Sequence, residues 1–325
     1  MEQLKSLPII DISGLWSDDV SKWNKVAKEI DEVSRGIGFF YIVGHQIPSE
    51  RFEKMMEISR FFFGLPMEKK LEVDMTKNQF HRGYGGFQLE QLNPLSPHDE
   101  KETLEFGMKM SPDNPLYLHK LYGPNPRPSA FDQATIDLID EHYLDMKNII
   151  CMLLRAIASA LNLDREYFAR HYDYPLAAMR LMHYTANLDL PNTGEIVLGG
   201  GEHTDYGILT ILQQDDVGGL QVKTMSDEWI DVPFVKDSYV VNIGDMLQRW
   251  TNDIYRSTAH RVLRPPKGVH RYSIPFFGEP HTDTIVECIP SCCSDSSPPK
   301  YKPISAGDYL QSRFLDTYEY KKQKY

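Results

Sequence analysis

The stretch GEHTDYGILTILQQDDVGGLQV, residues 201–222, contains two short runs with the aliphatic and β-branched content of strands, 208–213 and 219–223, parted at Gly218-Gly219. Similar runs lie at 178–184, 239–243, 258–263 and 271–277, with turn residues such as Gly244-Asp245 between them. Strands this close together, with no long helix between them, predict a sandwich, jelly roll or barrel.

Upstream the pattern changes. Residues 7–12 read as a short strand. After Ser17, Val26, Ile30, Val33 and Ile37 recur in steps of four, three and four, which makes one helical face. Gly36 and Gly38 end that helix, and 39–43 has the composition of a buried strand. A second helix is expected from Ser49, presenting Phe52, Met55, Met56, Ser59 and Phe63 before the Gly64-Leu65-Pro66 break. Residues 79–128, rich in Gly, Pro, Tyr and Asn, read as irregular loops and short strands. A helix is expected over 129–160, and 149–163 is apolar almost all round, as suits a helix lying under a sheet. The fold class is therefore mainly β with flanking helices.

The 325 residues suffice for one large domain or two average ones. A net charge of −11, with no stretch dense in Lys or Arg, argues against a nucleic-acid partner, because phosphate neutralisation needs a clustered basic surface. The one basic cluster, Lys321, Lys322 and Lys324, is expected to be a solvated tail. Residues 1–8 show no basic segment followed by an apolar run, and 149–163 is too short to span a bilayer, so a soluble cytoplasmic protein is expected, a monomer or weak homo-oligomer. Cys151, Cys288, Cys292 and Cys293 lack paired C-x-x-C spacing; Cys292 and Cys293 are expected to be exposed thiols.

His-x-Asp occurs three times, at His171-x-Asp173, His203-x-Asp205 and His281-x-Asp283. In a strand, residues i and i+2 share a face, so such a pair can present an imidazole and a carboxylate to one ion. His203 and Asp205 stand in the strand-rich region, and His260 follows 57 residues later at the start of another strand. Two imidazoles and one carboxylate leave adjacent coordination positions open, a set suited to Fe(II). His171-x-Asp173 precedes the strands and His281-x-Asp283 has no later His to join it; both read as structural or surface pairs. Ten residues separate His260 from Arg271, and Arg271 and Ser273 share a strand face where a guanidinium fork and a hydroxyl can grip a carboxylate.

The ordered series resembles the Fe(II)- and 2-oxoglutarate-dependent dioxygenases, in the isopenicillin-N-synthase-like branch. Leu7-Pro8-Ile9-Ile10-Asp11, Gly38-Phe39-Phe40-Tyr41, Gly44-His45, Phe63-Gly64-Leu65-Pro66, Lys69-Lys70 and Arg82-Gly83-Tyr84 resemble its N-terminal region. Gly201 to Gly207, Asp216 to Val222, Asn242-Ile243-Gly244-Asp245 and Ser257 to Val262 resemble its catalytic core. The resemblance implies a double-stranded β-helix, the cupin-like jelly roll, at 175–280. An N-terminal region of helices and strands, 1–174, would pack on it, and a C-terminal extension would occupy 281–325.

Carried over by position, His203, Asp205 and His260 would ligate iron, and Arg271 and Ser273 would hold the distal carboxylate of 2-oxoglutarate. Relatives add an Asn-x-Tyr contact to the cosubstrate; here Tyr184 keeps the tyrosine and Met182 departs from the pattern. Fe(II), 2-oxoglutarate and O2 are the implied cofactors, with ascorbate as an accessory reductant. The implied reaction oxidises, typically hydroxylates, a C–H bond of a small-molecule metabolite, with succinate and CO2 released. The alternatives are an iron oxidase of the same fold that does without 2-oxoglutarate and desaturates or closes a ring, and a non-catalytic binding protein. Relatives also suggest His81, Tyr84 and Phe277 near the substrate. Arg180 shares the strand face of Tyr184 and is either a substrate contact or an internal ion pair; the former would favour a polar or anionic compound.

Overall fold

A computed structural model describes residues 6–91, 99–186 and 198–317. β1 (Ile9–Asp11) leads into α1 (Val20–Arg35), whose N-cap Asp19 accepts from Ser21 N at 2.9 Å. The anticipated face of α1, Val26, Ile30 and Val33, is buried. The chain then turns at Gly38, whose φ of 65° and closeness to the Arg256 carbonyl leave no room for a side chain, and enters β2 (Phe39–Val43). α2 (Ser49–Phe63) and α3 (Met67–Lys70) follow, then β3 (Gly83–Gly85) and β4 (Lys101–Phe106). α4 (Gln133–Ala160) is 28 residues long, and its apolar end packs under the sheet as expected.

After α5 (Glu166–Ala169) the strands come in succession: β5 (Ala178–Thr185), β6 (Leu198–His203), β7 (Leu209–Gln214), β8 (Leu220–Lys223), β9 (Trp229–Asp231) and β10 (Tyr239–Ile243). α6 (Asp245–Trp250), β11 (His260–Leu263), β12 (His270–Gly278), the short pair β13 (Ile285–Val286) and β14 (Ile304–Ser305), and α7 (Ala306–Thr317) complete the described chain. Eight strands form one sheet in the order β1-β2-β10-β7-β12-β5-β4-β3, and four form a second, β6-β11-β8-β9. The two sheets wrap a shared interior as a jelly roll.

Register decides what reaches that interior. Arg271 pairs with Tyr184, Ser273 with Met182 and Gln214, and Asn242 with Thr210. β4 continues the row, with Lys101 opposite Tyr184, Thr103 opposite Met182 and Glu105 opposite Arg180. Side chains of one parity on five neighbouring strands thus form one wall.

Two local expectations change. β4 lies in the span read as irregular loops and short strands; a short strand fits that reading, but its place in the interior of the larger sheet with every residue buried does not. Its sequence, KETLEF, hides this because its charges find partners from distant segments. Cys292, expected to be exposed, is only 6% exposed; it sits at a short 3-10 turn tied to Trp250, whose carbonyl accepts from Ile289 N at 2.8 Å. The basic run at Lys321, Lys322 and Lys324 lies outside the described residues. No helix among the described residues is long and apolar enough to cross a membrane.

Candidate active site

β6 ends at His203 and β11 begins at His260, and the two histidines are direct partners across the smaller sheet, with ring centroids 4.2 Å apart. Asp205 lies just beyond β6, so the strand alternation anticipated for His203-x-Asp205 applies only to the histidine. Asp205 Oδ1 stands 3.8 Å from His203 Nε2 and 3.7 Å from His260 Nε2. All three residues offer a ligand atom within 4.8 Å of one another. The remaining atoms of the set are tied down. His203 Nδ1 donates to the Gly201 carbonyl at 2.7 Å and His260 Nδ1 to the Thr258 carbonyl at 3.2 Å, which leaves each Nε2 lone pair turned towards the shared point. Asn242 Nδ2 donates to Asp205 Oδ2 at 2.8 Å, so Oδ1 is the free oxygen. Burial, with His260 beside it, pushes His203 down to about 3, so its imidazole is neutral near pH 7. Burial raises the Asp205 carboxyl, but His260 and His203 outweigh it and the net shift is downward, keeping the group ionised. Two nitrogens and one oxygen, preset and half-enclosed, fit an Fe(II) ion with open positions.

A cavity runs from this triad to Arg271, which is 1% exposed. Its Nε donates to the Gly218 carbonyl at 2.6 Å, Nη1 to Ser273 Oγ at 3.3 Å, and Nη2 approaches Gln214 Oε1 at 3.4 Å; the guanidinium lies 4.9 Å from the Tyr184 ring centroid. Among the described residues no carboxylate pairs with it. A buried guanidinium with no carboxylate in ion-pair contact among the described residues, facing three side chains that could hold a metal, fits a dicarboxylate that reaches from one to the other. Met182, in place of the expected asparagine, lines this cavity and accepts the Tyr184 hydroxyl on sulfur at 3.3 Å.

Residues 175–280 match the 2OG-Fe(II) oxygenase superfamily, and residues 7–130 match the family described as the N-terminal part of non-haem dioxygenase in morphine synthesis. The chain is 34% identical over 316 residues to the 2-oxoglutarate-Fe(II) type oxidoreductase hxnY of Emericella nidulans, covering 96% of this chain and 90% of that protein. It is 33% identical over 318 residues to a 1-aminocyclopropane-1-carboxylate oxidase of Dictyostelium mucoroides, covering 89% and 85%. A full-length Neurospora crassa protein, solved in complex with α-ketoglutarate, superposes with a TM-score of 0.84 at 33% identity, over 97% of this chain and 98% of that one. The chain belongs to the 2OG-Fe(II) oxygenase superfamily. It is a dioxygenase that uses Fe(II), 2-oxoglutarate and O2.

The oxygenase has a second, larger cavity on the other side of the triad. It shares His203, Asp205, Lys101, Met182 and Phe277 with the first. Of the residues anticipated near a substrate, Phe277 lines both cavities and Arg180 lines the larger one. Arg180 is also an internal ion pair: Nη2 stands 2.5 Å from Glu105 Oε2 and Nη1 2.7 Å from Glu90 Oε1. His81 lies one layer behind, 3.5 Å from Glu105 Oε2, with its ring centroid 4.4 Å from that of Phe314. Tyr84 departs from expectation. It pairs with Leu104, which puts it on the opposite face of the sheet, where its hydroxyl donates to Glu102 at 2.7 Å. His270 also faces away, 2.8 Å from His183.

Several cavity residues were not anticipated from the sequence. Glu105 and Lys101 sit on β4, which no periodic run marked; Arg82 stands in the Arg82-Gly83-Tyr84 motif without a role assigned there, and Glu90 and Glu279 lie outside any motif. Leu310, Phe314 and Thr317 come from α7, and the Thr317 hydroxyl bonds that of Tyr206 at 2.6 Å, closing the helix over the cavity. One signal did exist: Ser305-x-x-Asp308 is a helix-start pattern, and Ser305 Oγ accepts from Asp308 N at 3.1 Å while donating to its carboxylate at 2.7 Å.

Proposed function

We propose that His203, Asp205 and His260 ligate Fe(II), that Arg271 and Ser273 hold the distal carboxylate of 2-oxoglutarate beside Tyr184, and that a small organic molecule enters the larger cavity to have one C–H bond oxidised, with hydroxylation as the leading outcome. The observation that carries this reading is the buried Arg271, without a carboxylate partner among the described residues, facing the triad across one cavity. When bound, Fe(II) with 2-oxoglutarate and O2 supplies the oxidising power, and succinate and CO2 leave as coproducts.

The chain's own part is positioning. The Gly201 and Thr258 carbonyls fix the imidazoles, Asn242 selects the ligating oxygen of Asp205, and Met182 and Phe277 present apolar surface to both cavities. In this reading 175–280 holds iron and cosubstrate, while 1–174 and 281–325 supply walls of the substrate cavity. The same N. crassa protein has also been solved with thymine, and the likeness, 32% identity at a TM-score of 0.83, supports a small-molecule substrate for this chain. Four free cysteines fit a reducing compartment such as the cytoplasm, and the net charge of −11 disfavours nucleic acid.

Anaerobic titration with Fe(II) and 2-oxoglutarate tests the assignment. The wild type is expected to develop a visible metal-to-ligand charge-transfer band and His203→Ala none; a wild type without the band rejects the reading. Succinate released in proportion to oxidised product separates it from an iron oxidase that does without 2-oxoglutarate.

A further inference from the structure

Glu279 follows the last residue of β12, is 5% exposed and lines the larger cavity, and its Oε2 is buried with no hydrogen-bond partner among the described residues. The other charges around that cavity are matched within the chain. Arg82 Nη1 lies 2.9 Å from Glu105 Oε1, Arg180 reaches both Glu105 and Glu90, and Lys101 Nζ lies 2.8 Å from Glu90 and 2.6 Å from Asp99. Among the described residues these three cations thus contact Glu105, Glu90 and, outside the cavity wall, Asp99, while Glu279 Oε2 contacts none of them. On the adjoining side, Fe(II), Asp205, the dianionic cosubstrate and Arg271 cancel one another. Arg180, which alone would favour an anionic compound, is matched by Glu105 and Glu90.

A buried carboxylate without a counter-ion is costly, and a cation that enters beside it recovers that cost through charge-assisted hydrogen bonds. The rest of the wall suits the chain of an organic cation: Leu121, Leu176 and Leu310 are aliphatic, and the Phe277 ring, which already holds the Arg180 guanidinium 5.3 Å from its centroid, shows that an aromatic face here accepts a planar cation. Glu279 is also close to the reacting centre. It lines the same cavity as His203 and Asp205.

We propose that the substrate is an aliphatic amine or guanidine whose charged nitrogen pairs with the Glu279 carboxylate while a carbon of its chain faces the triad. The proposal rests on the assignment of iron and 2-oxoglutarate sites made above. A neutral amide or imide, which could hydrogen-bond a protonated Glu279, is the competing occupant.

The test is anaerobic calorimetric titration of the Fe(II)- and 2-oxoglutarate-loaded enzyme with agmatine, 1,5-diaminopentane and n-pentylguanidine as cations, and pentanamide and thymine as neutral probes. At least one cation is expected to bind with a Kd about tenfold or more below that of both neutral probes, and Glu279→Gln to lose that preference by a similar factor. Glu279→Asp keeps the charge and is expected to retain the preference with weaker affinity, which decides the matter should the Gln variant fold poorly. The proposal is overturned if no cation binds, if a neutral probe binds as well as the best cation, or if Glu279→Gln binds cations like the wild type. Titration of the same proteins with 2-oxoglutarate alone separates the two readings: a wild type that does not bind it rejects the oxygenase site, whereas one that binds it but no cation rejects the role of Glu279.

Discussion

The two faces of β4, β5 and β12 both bury charge, and they treat it differently. On the face turned from the cavities, Glu102 is closed: Oε2 accepts from Lys70 Nζ and from the Tyr84 hydroxyl at 2.7 Å each, and Oε1 faces His183 Nδ1 at 2.8 Å. These partners outweigh burial and hold the Glu102 carboxyl below its usual range. On the cavity face, Arg271 has no carboxylate and Glu279 no cation among the described residues. Ionisable groups whose partners are all in the chain serve the fold; in the reading proposed above, Arg271 and Glu279 are held for groups the chain does not contain.

Breaking the closed face should have the largest effect. Glu102→Ala leaves Lys70 buried without its partner and should cost about 3–5 kcal/mol of stability, read as a lowered Tm. Little change would mean that this network does not hold the face. On the open face the pattern should reverse. Arg271→Leu is expected to weaken 2-oxoglutarate binding by about a hundredfold while the Tm of the cosubstrate-free protein stays level or rises. A large loss of Tm would show that Arg271 serves the fold after all. Asn242→Ala frees Asp205 Oδ2 and should lower iron affinity by about 10–100-fold with intact folding, measured by anaerobic metal titration.

The smallest effect concerns pH. Burial, reinforced by Glu105 and Asp205, pushes Glu279 up to about 8 from an ordinary value of 4.5. Its folded pKa is therefore raised, so the protonated carboxyl's contribution to stability is complete below pH 4.5 and is lost as pH rises through about 8. Glu279→Gln stays neutral throughout. Thermal melts of the ligand-free proteins should agree near pH 4 and increasingly favour the variant in Tm as pH rises towards 9. Parallel curves across that range would show that Glu279 is ionised and compensated in the free enzyme.

The same contrast explains what is legible in the sequence. Helical steps at Val26, Ile30 and Val33 and the apolar run at 39–43 announce themselves because burial there is written in local composition. The triad is legible because His203 and Asp205 are two positions apart and His260 opens a recognisable strand. β4 is not, because Lys101, Glu102 and Glu105 are buried by partners as distant as Arg180 and His183. Tyr84 falls on the face opposite to the expected one because parity in β3 is set by its register with β4, which no local signal reveals. Glu279 has no motif at all; what distinguishes it is a buried Oε2 without a hydrogen-bond partner among the described residues, a property of three-dimensional surroundings.

The pairing of β2 with β10 also governs how the chain can be made. Tyr239 sits opposite Ile42 and Asn242 opposite Phe39, so an early strand meets its neighbour only after nearly two hundred further residues have been synthesised. At about 5–20 residues per second the nascent β2 waits for roughly 10–40 s with an unpaired apolar edge. Closing so long a loop is slow, and an exposed edge invites pairing with another chain. The larger sheet can therefore form its two edges, β1-β2 and β3-β4-β5, before its middle, which closes only once β7, β10 and β12 have been made.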